Sequence, residues 1–478
     1  MRDLTQRAID TATQAGASYA DIRIEHRRRQ VISVKNSSLD AISNDRTQGF
    51  GVRALVNGAW GFASSSRLEP AEVDRVARLA VDIARASGIA SRRPIDLGAP
   101  IKSIGAYHTP VIRDPFDVSL DEKLTLLLEA DTAMRRAPSI AIAESSLDCL
   151  RIEKVFASSE GSYVEQTLIE TGGGIEATAI NEQDLQKRSY PNSFGRQQGT
   201  RGFELIEEMD LPGNGQRIAE EAVQLLTASP CPEGRMTIIL DATQTALQVH
   251  ESCGHAIELD RVFGMEASYA GMSFLTPEKR PGFKYGSEHV NIVADATVPG
   301  GLGTFGFDDE GVPAQRTTIM DHGEFQNYIT SRETAAQLGE PSNGTMRASG
   351  WNRIPLIRMT NINLEPGDWK FEDLVADTDD GIYLQTNKSW SIDDKRLNFQ
   401  FGTEIAWRIR HGKLAEMIRN PSYAGITPEF WGSCDAVCRD WHVWGTPNCG
   451  KGQPSQTAHV GHGAAPTRFR NVRVGVVR

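Results

Sequence analysis

Twice in its first 229 residues the chain sets a helix-period segment, then strand-period runs, then a second helix-period segment, which is the order of a small α+β unit. In the first unit residues 2–14 read as helix, and residues 21–25 and 31–35 alternate as two strands. Residues 51–56 and 59–64 flank Asn57-Gly58, the strongest short-range hairpin signal. A helix is expected over 70–86, with Pro70 in its first turn and Gly88 just beyond its end. Residues 92–118 carry several prolines and little periodicity, so they read as a linker. In the second unit 120–137 is helical, and Ser119 with Glu122 has the spacing of a capping box. Strand-like runs follow at 140–145, 152–158, 163–170 and 175–180. Thr171-Gly172-Gly173-Gly174 reads as a turn, because a phosphate cradle needs a following helix with Lys and Ser or Thr. A helix over 216–227 closes the unit, and Ser229-Pro230-Cys231-Pro232 marks a boundary.

Beyond that boundary the pattern changes. A short buried strand at 236–240 leads to a helix that Asp241 or Thr243 would cap. Past Asp260 the chain turns β-rich, with runs at 289–294, 354–362, 381–385 and 398–409 and a helical pattern at 331–338. A chain of 478 residues exceeds what one core usually serves. The expectation is an α+β fold in three parts: an N-terminal α+β subdomain (1–105), a middle α+β subdomain (106–229), and a β-rich C-terminal domain (230–478) carrying the metal-site helix.

That helix carries His250-Glu251-Ser252-Cys253-Gly254-His255. Two imidazoles that can hold a metal, with a glutamate directly after the first that can deprotonate a metal-bound water, are the grammar of a hydrolytic zinc site. The usual zincin signature spaces its histidines four apart, about 40° from each other around an ordinary helix. Here they are five apart, about 140°, so an ordinary helix would point them to different sides. A local π-type turn closes most of that gap, and Gly254 is placed to permit it. Glu251 is the natural general base. A third ligand is needed. Glu258 lies three residues past His255 on roughly the same face, and Cys449 lies in a glycine-rich loop; the residues alone leave both open.

Three separated motifs carry a resemblance: the five-spaced histidines, Phe307-Asp308-Asp309-Glu310-Gly311-Val312-Pro313, and Pro447-Asn448-Cys449-Gly450-Lys451-Gly452-Gln453-Pro454. With Arg358-Met359-Thr360-Asn361, Glu365-Pro366-Gly367 and the Gly51-Val52-Arg53 hairpin, they make the chain resemble the TldD/PmbA metallopeptidases over nearly its whole length. The resemblance implies the catalytic, TldD-like branch, with Zn2+ held by His250, His255 and Cys449 and with Glu251 as base. It also implies cleavage of unfolded or short peptides, including leader-peptide processing, in a homodimer or a heterodimer with a PmbA/TldE-like homologue. The family's older label, modulator of DNA gyrase, keeps a noncatalytic partner-binding protein as the alternative. A zinc hydrolase of a non-peptide amide shares every residue.

Composition bounds the rest. A net charge of −11 argues against nonspecific nucleic-acid binding, and Arg27-Arg28-Arg29, a local basic run, reads as a solvated strand face. No apolar run approaches a membrane span, and the first residues hold no signal-peptide core. Six cysteines without paired close spacing do not make a disulfide scaffold, so a reducing, cytoplasmic home is expected. Cys434, Cys438 and His442 would share a face on a helix, but Cys434 and Cys438 read better as small buried hydrophobes, and Cys253 as packing. Asp308, Asp309 and Glu310 read as a turn at the rim of the site. His459 and His462 read as solvated or oxyanion-binding.

Overall fold

The chain is described by a computed structural model at every residue except 91, 92, 270, 477 and 478, so the first residue of the 92–118 stretch lies outside the described residues. Strands of both N-terminal units form one sheet, in the order Ala59–Ser65, Ser38–Val56, Tyr19–Lys35, Ile140–Ser158, Tyr163–Ile180 and Ile104–His108. Residues 21–25 and 31–35 are therefore one strand, because the polar residues between them stay in register with both neighbours. The supposed linker contributes Ile104–His108, which pairs parallel to Tyr163–Ile180.

The glycine run is not a turn. Gly172, Gly173 and Gly174 sit inside Tyr163–Ile180, opposite Asp148, Leu147 and Ser146. A Cβ on them would lie 2.7, 2.6 and 2.2 Å from the carbonyl oxygens of Gln197, Ser146 and Gly195. The glycines serve close backbone approach, the second meaning of glycine in a strand. Helix ends shift as well. The helix Pro70–Ala90 runs through Gly88, and the one expected at 216–227 is Leu211–Leu225, capped by Asp210. Ser119 accepts from Glu122 N at 3.2 Å, but Glu122 turns its carboxylate to Arg113, so the box is half formed.

One face of this sheet is apolar at both ends. Ala20, Ile22 and Ile24 pack under the helices Arg2–Gln14 and Pro70–Ala90, and Ile32 and Val34 under Leu120–Met134 and Leu211–Leu225. The alternate residues Asp21, Arg23 and Glu25, with Arg53 and Lys154, are buried on the other face against the C-terminal half. There Lys154 Nζ and Arg23 Nη1 lie 2.6 and 3.1 Å from Asp309, and Arg53 Nη1 lies 3.3 Å from Glu310. The acidic triplet does form a turn, closed by Gly311 N–H to the Asp308 carbonyl at 3.1 Å, but it is buried in the seam between the halves and does not lie at a rim. Asp309 and Glu310 tie the two halves together, while burial and the neighbouring Glu310 push the Asp308 carboxyl up to about 8.

The C-terminal half holds two large sheets, besides a small pair of Met346–Arg347 with Leu356–Ile357. Asp380–Ile392, Gly234–Leu240, Thr467–Val476, Pro421–Ile426 and Asn398–Arg410 pair in that order, and the last pairs back to the first, closing a five-stranded ring. The other runs Glu324–Phe325, Arg316–Asp321, Ile292–Asp295, Asn361–Leu364, Gln456–Ala464, His442–Lys451. The stretch expected as one strand at 354–362 holds only the short pieces Leu356–Ile357 and Asn361–Leu364. Between ring and sheet lies the helix Ala242–Val249, touching Asp380–Ile392 on one side and Gln456–Ala464 on the other. No helix among the described residues is long and apolar enough to cross a membrane.

Candidate metal centre

Asp241 starts the motif helix: its carboxylate accepts from Gln244 N at 2.8 Å, a cap worth about 1 kcal/mol. After about two turns of regular helix the backbone widens to a π-turn over His250–Gly254 and then tightens over His255–Ile257. The wide turn brings the five-spaced imidazoles together, with ring centroids 4.8 Å apart. Gly254 has ordinary helical angles, φ −53° and ψ −51°, so it does not release the distortion. Its lack of a side chain matters for packing, since a Cβ would lie 2.4 Å from Met359 Sδ.

Cys449 arrives from the far end of the chain. The ladder between His442–Lys451 and Gln456–Ala464 breaks register between Thr446 and Cys449, where Pro447 cannot donate. Arg358 donates to the Cys449 carbonyl and fixes the bulge. The result is a buried group in which ligand atoms of His250, His255 and Cys449 all lie within 4.8 Å of one another. Cys449 Sγ is 3.8 Å from His255 Nε2.

Neighbours decide which nitrogens are free. His462 Nδ1 lies 3.2 Å from the Ile362 carbonyl, which only accepts, so that nitrogen carries the hydrogen. His462 Nε2 then accepts from His250 Nδ1–H at 2.7 Å, leaving the His250 Nε2 lone pair for a metal. His255 Nδ1 faces the Glu258 carboxylate at 3.1 Å, nearer than Arg261 Nη2 at 3.4 Å, so its Nε2 is likewise free. Burial lowers both imidazoles below their ordinary range. Burial pushes the Cys449 thiol up, but His255 and Arg358 outweigh it and hold the thiol below its usual value. Neutral imidazoles and a thiolate-prone cysteine are the borderline-soft donors that zinc takes.

Glu258 is buried beside the group but is otherwise occupied. Its Oε2 accepts from Arg261 Nη2 at 3.1 Å, and Lys451 Nζ lies 3.4 Å from Oε1. It orients His255 rather than joining the three donors. Glu251, also buried, receives Arg396 Nη1 at 3.0 Å on Oε2. Beside the group a cleft of about 250 Å³ is lined by Phe194, Ala246, Leu247, Trp390, Pro447 and Asn448. Ala246 is one helical turn before His250, and Asn448 immediately precedes Cys449.

The other candidates lie elsewhere. Cys434 and Cys438 are buried at the strand Cys434–Val437 and just after it, with thiols that burial pushes up to about 12. His442 is exposed at a strand start, so the three share no helix face. Cys253 is wholly buried in the core. His459 contacts Glu170 through Nδ1, and His462, far from solvated, supports His250. The sequence pointed to His462 only as a histidine in a glycine-rich tail, and it gave no signal for Arg396, 145 residues from Glu251. Replacing His462 with Leu should leave the fold intact and weaken metal binding by about 10 to 100-fold, read from chelator competition. Unchanged affinity would reduce His462 to packing.

A soft three-donor group with a glutamate beside it defines a metallopeptidase-type site, and the comparisons agree. Residues 233–476 match the model of the PmbA/TldA metallopeptidase C-terminal domain, 20–84 its domain 1 and 113–229 its central domain. The chain is 34% identical over 460 residues to a metalloprotease of Methanothermobacter thermautotrophicus, covering 96% of this chain and 95% of that one. A zinc metalloprotease TldD homolog of Saccharolobus solfataricus is 22% identical, with 98% of each chain covered. TldE from Thermococcus kodakarensis has the same fold, with TM-score 0.77 at 17% identity over 98% of this chain and 99% of that one. So does a Thermotoga maritima protein described as a candidate modulator of a DNA gyrase, with TM-score 0.78 at 17% identity over 99% of each. This chain belongs to the PmbA/TldD family of metallopeptidases.

Proposed function

We propose that the protein is a zinc-dependent peptidase acting on unfolded or short peptides, including leader-type segments. The observation that carries this reading is the convergence of His250, His255 and Cys449 within 4.8 Å, next to Glu251. These three would hold the metal, leaving a position open, the arrangement of catalytic rather than structural zinc. A zinc ion supplies a Lewis acid for the peptide carbonyl and lowers the pKa of water toward about 7. Glu251 takes a proton from the attacking water and returns one to the leaving amine. Arg396 donates to Oε2 of that carboxylate and orients it for the proton transfer. The cleft walled by Leu247, Phe194 and Trp390 gives a neighbouring side chain an apolar seat. The intact donor set favours an enzyme over a noncatalytic partner-binding protein.

The reading extends to organisation. The parts 1–105, 106–229 and 230–478 are proposed as its domains, with the first two serving dimerisation and access in a cytoplasmic homodimer or a heterodimer with a PmbA/TldE-like homologue. The fold shared with TldE supports such a pairing. A walled entrance admits an extended chain, held by main-chain pairing, and excludes a folded domain. One polypeptide offered folded and denatured, to the zinc-loaded protein with and without a homologous partner, should be cut only when denatured. Equal rates on a stably folded protein would overturn the access model, and absence of stoichiometric zinc would overturn the site.

A further inference from the structure

Between the two helical layers on its outer face, the N-terminal sheet is left uncovered, and its floor there is basic. The register places Arg28 directly opposite Arg46 on one neighbouring strand and Arg151 on the other. Three like charges abreast on adjacent strands repel one another, an arrangement sheets ordinarily avoid. Arg27 borders the same cleft, but it and Arg29 alternate with Arg28 along the strand and have carboxylate partners of their own. Arg27 pairs with Glu25 at 2.9 Å and Arg29 with Asp148 at 2.6 Å, so the Arg27-Arg28-Arg29 run divides between two faces.

The row is held in place and incompletely neutralised. Phe116 packs beneath two of the guanidiniums, 4.4 Å from Arg28 Cζ and 5.4 Å from Arg151 Cζ. Asp114 pairs with Arg151, and Glu153 faces the same cleft. Buried Lys123, bonded to Gln30 Oε1 at 2.6 Å, adds a further cation one row along. The three arginines of the row thus face two carboxylates, Asp114 and Glu153. Arg28 makes no ion pair among the described residues, and the Nε atoms of Arg28 and Arg151 are buried without a hydrogen-bond partner. The cleft they line encloses about 440 Å³.

We propose that this cleft is a binding site for a phosphoryl-type oxyanion, gripped by Arg28, Arg46 and Arg151. Guanidinium forks match the oxygens of such a group, and one bound anion turns the repulsion along the row into shared attraction. The shape selects a compact ligand. Neighbouring strands stand about 4.8 Å apart, so the three forks can converge on one tetrahedral group. Alternate carboxylates of an extended acidic chain stand about 7 Å apart, and that chain would have to run into the helical layers at either end.

The test uses the full-length protein, both metal-loaded and chelator-treated so that anions bound at the metal group are not counted. Pyrophosphate should bind saturably by calorimetry and raise the melting temperature in both forms. Arg46→Ala, on an exposed strand segment, and Arg28→Met should each weaken binding about tenfold, the scale of a lost charge-assisted hydrogen bond. Without anion, Arg28→Met should melt at or above the wild-type temperature, because the row no longer repels itself. Inorganic phosphate, a nucleoside diphosphate and a phosphoserine peptide, run alongside, identify the source by which binds tightest. No saturable binding of any of these, or wild-type binding by Arg46→Ala, overturns the proposal. So does capture of an Asp/Glu-rich peptide in preference to pyrophosphate.

Discussion

Glu251→Gln should keep its full complement of metal and lose about 10² to 10⁴-fold in turnover, the range of positioned general-base catalysis. The amide is nearly isosteric with the carboxylate, and its oxygen can still accept from Arg396, which lies 3.0 Å from Oε2 in the wild type. What it cannot do is accept a proton from water. Metal content by mass spectrometry and cleavage of an unstructured peptide separate the two effects. A variant that retains more than a small fraction of wild-type turnover removes Glu251 from the role of base. One that loses metal as well makes Glu251 part of the metal's support.

Cys449→Ala should cost most of the bound zinc and, with it, essentially all activity. The thiolate is one of only three protein donors, and two imidazoles alone form a weak site for zinc. The informative comparison is Glu258. Its complete removal would leave Arg261 buried without its carboxylate and Lys451 with Asp260 alone, at about 3 to 5 kcal/mol, so an alanine there reads stability before it reads metal. Glu258→Gln keeps an acceptor for His255 Nδ1 and should still hold one zinc, more weakly. Unchanged zinc in Cys449→Ala, with zinc lost from Glu258→Gln, would exchange the two assignments.

How much of this the sequence disclosed follows from how local each interaction is. The spacing of His250 and His255 demanded a widened turn, and Asp241 three residues before Gln244 announced its own cap; both lie within one helix. The Asn57-Gly58 hairpin was equally legible, with φ of 51° and 74° at its two central residues. The Gly172-Gly173-Gly174 run misled because glycine signals both chain reversal and close approach, and only the crowding by Gln197 and Gly195 tells them apart. The roles of His462 and Arg396 left no trace, because a hydrogen bond spanning 212 or 145 residues has no periodicity. The acidic triplet misled for the same reason. Its partners Arg23, Arg53 and Lys154 belong to strands of the N-terminal half, more than 150 residues away along the chain.

Those ion pairs between halves carry a consequence for what can be cut away. A metal-binding fragment beginning near Glu233 would keep all three donors and Glu251, and on a parts list it would look self-sufficient. It would also present Asp309 and Glu310 to the world stripped of Lys154, Arg23 and Arg53. The complementary fragment would bare a cationic sheet face built for the interior. Removing one side of a buried ion pair is far more damaging than removing both. The two halves are therefore obliged to travel as one gene product, and no minimal catalytic core can be trimmed from the chain without redesigning the seam.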